Sequence, residues 1–248
     1  MISRRRFIAA GGAGVLLGGC DRLTDSAQFR GVLRSAEGLT MRAQRLVSSR
    51  TALAREYDAA EMSPVFRSNG TAMPATSAYA QALGEGFANW RLTVDGLLAR
   101  PLAIPLQTVR ALPHRTQITR HDCVEGWSAI GKWHGVPLSR LLEAAGLSTR
   151  AKYLVFHCAD RFGDKPYYES IDLIDAFHPQ TIIAWGMNDE LLDVPHGAPL
   201  RLRVERQLGY KQAKYIERIE AVASLTGIHG GKGGFWEDNA DYEWYAGI

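Results

Sequence analysis

Residues 121–128 read His121-Asp122-Cys123-Val124-Glu125-Gly126-Trp127-Ser128, and residues 131–138 read Gly131-Lys132-Trp133-His134-Gly135-Val136-Pro137-Leu138. The first run sets a cysteine among polar residues, a glycine and a tryptophan. A thiolate is populated only beside positive charge or a metal, and Arg120, His121 and Lys132 are at hand to supply charge. On the residues alone, three readings of Cys123 stand open: a metal ligand or nucleophile, half of a disulfide, or an ordinary buried thiol. The chain has 3 cysteines, Cys20, Cys123 and Cys158. In an oxidising compartment a Cys123–Cys158 disulfide is the plain alternative. The sequence holds no CxxC pair, HExxH or GxSxG, so zinc and hydrolase readings are weak.

A second constellation follows: His196-Gly197-Ala198-Pro199-Leu200-Arg201, then Gly209-Tyr210-Lys211-Gln212-Ala213-Lys214-Tyr215-Ile216. By itself it reads as a strand end with solvated basic residues. With the cysteine motif before it, it takes another meaning. Cys-Val-Glu-Gly-Trp-Ser followed by Trp-His-Gly-Val-Pro-Leu resembles the molybdenum-ligand motif of the sulfite oxidase superfamily. It is most similar to the heme-free bacterial branch that includes methionine-sulfoxide reductase catalytic subunits. The resemblance implies an oxidoreductase with a Mo-molybdopterin cofactor, in which Cys123 binds molybdenum beside the two dithiolene sulfurs of one pyranopterin. Soft sulfur donors suit such a centre. It further implies that His196, Arg201, Gln212, Ala213 and Lys214 hold the pterin and its phosphate. A phosphate monoester carries about −1.5 to −2 charges and is matched by Arg, Lys and backbone N–H groups.

Two shorter matches extend the likeness. Asn69, in Phe66-Arg67-Ser68-Asn69-Gly70-Thr71, resembles a pterin-touching asparagine. Cys158, in Phe156-His157-Cys158-Ala159-Asp160, falls where the reductase branch commonly has a hydroxyl residue, so a pterin contact there departs from the pattern. The resemblance spans residues 63–248. It implies transfer of an oxygen atom and two electrons to or from a small sulfur-type substrate, sulfite or a sulfoxide. With no CxxCH heme motif, electrons pass to or from a separate carrier such as a membrane or c-type cytochrome. Arg120 and Tyr242 are further candidates for the pocket, with surface and core roles as the alternatives. The competing class is a non-catalytic, lipid-anchored binding lipoprotein with a Cys123–Cys158 disulfide.

The start of the chain carries an address. Ser3-Arg4-Arg5-Arg6-Phe7-Ile8 precedes an uncharged, Gly-rich apolar stretch to Gly19. That stretch is shorter than the about 20 residues a membrane span needs, and it reads as a signal peptide over residues 1–19. Its start resembles a twin-arginine export signal, a route for proteins that fold around a cofactor before export. Leu17-Gly18-Gly19-Cys20 resembles a lipobox, and Asp21 a signal for retention at the inner membrane. The expectation is a periplasmic protein, lipid-anchored through Cys20 to the outer face of the inner membrane. Arg4, Arg5 and Arg6 account for the whole formal net charge of +3, since the other 26 of the 29 basic residues match 26 acidic ones. The body therefore offers no electrostatic case for nucleic-acid binding.

Between these landmarks the pattern predicts an α+β fold, strand-rich and mixed, with a helical N-terminal arm over residues 20–62 and a molybdopterin-binding domain over 63–248. Apolar spacing from Phe29 to Leu53 predicts a helix over 26–57, with Gly31 and Gly38 against it. Residues 63–74 read as a loop. Alternation predicts a strand at 90–95, residues 152–158, 181–185 and 200–204 also read as strands, and Asn188-Asp189 reads as a turn. Short helices are expected from Ser139 to Ala145, closed by Gly146, and from Ile171 to Phe177. Residues 215–222 suit either a helix or a strand. The aromatic tail Phe235, Trp236, Tyr242, Trp244 and Tyr245 is too apolar to stand free and should pack back on the body.

Overall fold

The computed structural model describes residues 26–248. The leader, the lipobox and Cys20 lie outside the described residues. The described chain divides into two units at residue 50, the second being the compact body of residues 50–248. In the first, helix α1 (Ala27–Val47) is capped by Ser26, whose hydroxyl accepts from the Phe29 N–H at 3.1 Å. The helix ends ten residues before the sequence pattern suggests. Residues from 50 onward have partners in the body instead. Glu56 bridges to Thr119, the Tyr57 N–H donates to the Ile118 carbonyl, and Ala54 exchanges two hydrogen bonds with the Gln180 side chain. The compact body thus begins at residue 50. No described helix is long and apolar enough to cross a membrane.

Two five-stranded sheets make the body. One contains β1 (Arg91–Gly96), β2 (Leu102–Pro105), β5 (Tyr153–Phe162), β6 (Lys165–Asp172) and β10 (Ile216–Val222), in the order β2-β1-β10-β5-β6. Only the β1–β10 pairing is parallel. The other contains β3 (Arg115–Cys123), β4 (Trp127–Pro137), β7 (Ile182–Met187) and β8 (Glu190–Leu191), with β9 (Arg201–Arg203) paired to β7. Asn188 and Asp189 turn between β7 and β8 with positive φ. Residues 215–222, open between helix and strand, settle as β10 because Ile216, Ile219 and Ala221 face the core from a strand that β1 and β5 flank.

Helices are short and lie at the strand ends: α2 (Ser77–Gly84), α3 (Leu106–Ala111), α4 (Leu138–Ala145), α5 (Leu173–Ala176) and α6 (Phe235–Ala240). Helix α4 starts one residue ahead of Ser139, with Pro137 at the cap, and Gly146 closes it in the left-handed region at φ 69°. Leu138, Leu141, Leu142 and Ala145 form its buried stripe. Helix α5 is shorter than residues 171–177, because Ile171 remains in β6 and Asp172 becomes the cap, accepting from the Asp175 N–H. One apolar cluster joins both sheets, from Leu92 and Phe156 on the first to Trp133 and Ile183 on the second. Gly135 permits a close crossing of β4 and β7, where a Cβ would stand 2.5 Å from the Ile183 carbonyl oxygen.

Candidate active site

Strand β3 alternates strictly: Gln117, Thr119, His121 and Cys123 point inward, and Thr116, Arg120 and Asp122 do not. Its inward side is polar until Cys123, its last residue. The chain then turns through Val124-Glu125-Gly126, with the Gly126 N–H donating to the Cys123 carbonyl, and Cys123 pairs with Trp127 across the hairpin. The geometry leaves the thiol on the wall of a cavity of about 130 Å³. Cys123 is only 8% exposed and, like Cys158, is a free thiol, so the disulfide alternative does not form. Burial pushes the Cys123 thiol pKa up.

Four groups of residues complete the cavity. Asn69, Gly70 and Thr71 come from the loop before α2; Asp160, Phe162 and Tyr167 come from the β5–β6 hairpin; Gly209, Tyr210, Gln212 and Lys214 come from the segment between β9 and β10. Trp236 and Tyr242 come from the tail, which packs back as expected. Gly209 is required by proximity, since a Cβ there would lie 2.5 Å from His121 Nε2.

Positive charge is buried beside this space, with carboxylates near it but none in an ion pair with Lys214 or Arg201 among the described residues. The Lys214 ammonium donates to the carbonyls of Asn69 (2.6 Å), Pro195 (2.9 Å) and Thr71, which ties the 69–71 loop to the cavity. Tyr215 takes the left-handed φ of 59°, uncommon for an aromatic residue, and its hydroxyl donates to the same Thr71 carbonyl. Burial, then the Arg201 charge, pull the Lys214 pKa down to about 7. Arg201 is 1% exposed; it donates to the His196 and Gln212 carbonyls and lies over the Trp133 ring, with Nε unpartnered. Burial and then Arg203 lower its pKa to about 9. Among the described residues no carboxylate makes an ion pair with either group. Arg203, by contrast, is fully paired: it donates to Glu205 and to His121 Nδ1 and stacks on Trp133. His121 is driven well below its ordinary pKa by burial and by Arg203, so it is neutral, with its proton on Nε2.

Of the residues the sequence singles out, Asn69, Cys123, Gln212 and Lys214 meet on the lining. Arg201 and Ala213 lie behind it, Arg201 through its bond to the Gln212 carbonyl and Ala213 through the hydrogen bond its carbonyl accepts from the Leu202 N–H. His196 turns its ring away: Nδ1 meets Asp193 and Nε2 the Phe66 carbonyl, and only its own carbonyl reaches Arg201. Cys158 is part of the apolar core, its thiol directed to the Phe156 carbonyl at 3.8 Å. Tyr242 lines the cavity, whereas Arg120 is exposed and paired with Asp122. Sequence reading missed Thr71, Asp160, Phe162, Tyr167 and Trp236. Asp160 alone carried a usable signal, a carboxylate at the end of an apolar strand.

A family model for the oxidoreductase molybdopterin binding domain matches residues 80–226, and the chain belongs to that family. Among its curated relatives, a protein of Azospira oryzae named "Putative protein-methionine-sulfoxide reductase subunit YedZ1" is 43% identical over 160 residues, which cover 64% of this chain and 56% of that one. The protein-methionine-sulfoxide reductase catalytic subunit MsrP of Campylobacter jejuni is 33% identical over 144 residues, covering 53% of this chain and 48% of that one. The chain therefore spans about half the length of these relatives. The fold is similar to that of the sulfane dehydrogenase SoxCD from Paracoccus pantotrophus, with a TM-score of 0.51 and 24% identity over 55% of this chain and 39% of that one. Asn69–Thr71 and the tail residues Trp236 and Tyr242 complete the cavity from outside the matched range.

Proposed function

We propose that this protein is a molybdenum-dependent oxidoreductase that moves an oxygen atom and two electrons between a small sulfur compound and a one-pterin molybdenum centre. The observation that carries the reading is the pairing of one cavity thiol with two buried cations, Arg201 and Lys214, that make no ion pair among the described residues. Burying a charge without an ion-pair partner is costly, and an anion bound beside them would offset that cost. A phosphate monoester suits that need. Cys123 is the protein's ligand to the metal, Lys214 and Arg201 hold the phosphate charge, and Asn69, Gln212 and the Ala213 backbone position the pterin. His196 and Cys158 act from behind, through Arg201 and the core. When bound, the molybdenum–pterin group supplies the two-electron oxygen-transfer chemistry; the residues of the chain hold it and shape access to it.

The entrance favours a sulfoxide over sulfite. Phe162, Tyr167, Tyr210, Trp236 and Tyr242 present aromatic surface, with Trp236 and Tyr242 stacked at 5.9 Å and Tyr210 edge-on to Tyr242 at 5.0 Å. Aromatic rings attract soft sulfur and methyl groups, and Glu125 repels a doubly charged oxyanion. Electrons come from a separate carrier, of the membrane or c-type cytochrome kind. Protein purified from a host that makes the cofactor should contain close to one molybdenum and one pterin per chain. With an artificial electron donor it should reduce an alkyl sulfoxide, and sulfite oxidation should be at least about tenfold slower. Metal-free and pterin-free protein from that host would end the enzyme reading; faster sulfite turnover would reverse the substrate assignment.

The leader places the work in the periplasm, with a lipid anchor at Cys20. Replacing Arg4 and Arg5 together by Lys should leave folded protein in the cytoplasm, and Cys20→Ser should release it from the membrane fraction. Fractionation with both variants checks the two claims separately; unchanged delivery or unchanged attachment refutes the respective one.

A further inference from the structure

Helix α1 turns its apolar side outward. Ala36, Leu39, Ala43 and Leu46 follow one another at intervals of three and four residues, which sets them on one stripe of a helix. All four are exposed, as is Val47 beside them; Leu39, Leu46 and Val47 are 64%, 87% and 84% exposed. Glu37, Gln44 and Arg45, round the helix from that stripe, are half-buried. A helix in water hides its apolar stripe and shows its polar one; this one does the reverse. Single exposed leucines are ordinary, but a stripe about three turns long marks an interaction surface.

What covers the stripe follows from charge. Residues 26–50 hold Arg30, Arg34, Arg42, Arg45 and Arg50 against one acid, Glu37, a formal charge of +4. Residues 51–248 hold 20 basic and 23 acidic residues, a formal charge of −3. An anionic surface therefore attracts the arm and repels the body. Arg42 is exposed one turn from both Leu39 and Leu46. A flanking cation on a long apolar stem suits a helix that lies in the headgroup layer of a membrane. Position agrees with charge. The helix starts at Ala27, seven residues after Cys20. Under the anchor reading above, it starts at most about 25 Å from the acylated residue.

We propose that α1 lies flat on the membrane, its apolar stripe in the headgroup layer of an anionic phospholipid bilayer and its arginine charge beside the lipid phosphates. The inference rests on the periplasmic, Cys20-anchored reading and adds a second, reversible contact to it. The consequence is distance. A flat helix delivers residue 50, where the compact body begins, to the membrane surface, within reach of a membrane-bound electron carrier. An upright helix of 21 residues would hold residue 50 about 30 Å away.

The test uses the mature chain from residue 20 with Cys20→Ser, made without the leader so that no acyl chain can be attached. It is sedimented with vesicles of phosphatidylcholine alone, or of phosphatidylcholine and phosphatidylglycerol. One cation at an anionic surface is worth about a factor of five in partition. At low salt the chain should bind the anionic vesicles at least about tenfold more tightly than the neutral ones, and about 0.5 M salt should release it. Arg42→Glu, a change of two charges, should lower the partition at least about tenfold. Leu39→Glu with Leu46→Glu should lower it by about as much or more. The melting point and pterin content of the body should not move in either variant, since all three side chains are exposed. No vesicle binding by the chain with Cys20→Ser alone, equal binding to both vesicles, or variants that bind as well overturns the inference. So does a dimer, seen by analytical ultracentrifugation, that Leu39→Glu with Leu46→Glu dissolves while vesicle binding is absent; the stripe then serves a second copy. The anchor is judged apart, on salt-washed membranes, because the wash strips the arm and leaves an acyl chain in place. Wild type that washes off refutes the Cys20 anchor, while the vesicle result alone decides the arm.

Discussion

Cys123→Ser should lose more than about 100-fold in oxygen-atom transfer while its melting point stays within a few degrees of wild type. A thiolate is a soft, electron-donating ligand and a serine alkoxide a hard one. Disturbing only the surroundings of a metal ligand already costs about 10–100-fold, so exchanging the ligand should cost more. The fold should tolerate the change because Cys123 ends β3 at the cavity and is not part of the apolar cluster. Cys158→Ser should show the opposite balance. Cys158 is a free thiol in the core, and a serine hydroxyl can make the bond to the Phe156 carbonyl that the thiol makes weakly. Activity should stay within a few-fold of wild type, with a stability loss of about 1–2 kcal/mol for the buried hydroxyl. Activity with an artificial electron carrier and thermal midpoints, measured on both variants, decide the matter. Equal activity losses in the two would withdraw Cys123 as the ligand.

Lys211→Met should cost about 3–5 kcal/mol, the usual loss when one partner of a buried ionic group is removed. For a chain of this size that is a drop of roughly 10 °C in melting point. Lys211 is fully buried, and its ammonium donates to Glu169 and, at 2.7 Å, to Glu237. Burial disfavours its charge, but the two carboxylates outweigh burial and raise its pKa. Without it, two carboxyl groups face each other in the interior. Burial first, and Glu237 second, already hold the Glu169 pKa well above the ordinary value, with Lys211 pulling it down. Removing Lys211 raises it further. The folded variant then keeps a proton that the unfolded chain gives up near pH 4–5, so its stability falls as pH rises from there towards the raised folded pKa. The defect should be smaller at pH 5 than at pH 8. Urea titrations at the two pH values test this, and a defect independent of pH would refute the shared proton. Glu237 belongs to α6, which brings Trp236 to the cavity, so the variant should also lose selectivity for sulfoxides.

Cys123, Arg201, Lys214 and Asn69 were legible as a set only through the family resemblance of the runs that hold them; on the residues alone, Cys123 had three readings and the cations read as solvated. Strand β1 announced itself through apolar alternation, and β5, β7 and β9 also read as strands. Strand β3 did not, although it carries Cys123. Its inward residues are Gln117, Thr119 and His121, which are buried on hydrogen bonds and stacking and leave no hydrophobic period to detect. The same reason hid the end of the arm. Residues 50–57 have the composition of a continuing helix, but Glu56 and Tyr57 spend their backbone bonds on β3.

The sequence by itself determined the mixed α+β class and, through the resemblance of its motifs, the family, since these depend on which groups are present and how closely they follow one another. Only the tertiary structure decided which of them share a wall. It sent the His196 ring outward to Asp193 and Phe66, drew Cys158 into the core, and brought Asp160, Thr71 and Trp236 from positions up to 165 residues apart in the chain onto one surface. The direction of a side chain depends on strand register, and register depends on pairing. The bulge that aims Asp160 into the cavity arises where β5 must match β6 at both ends, a constraint that exists only once the two strands lie side by side.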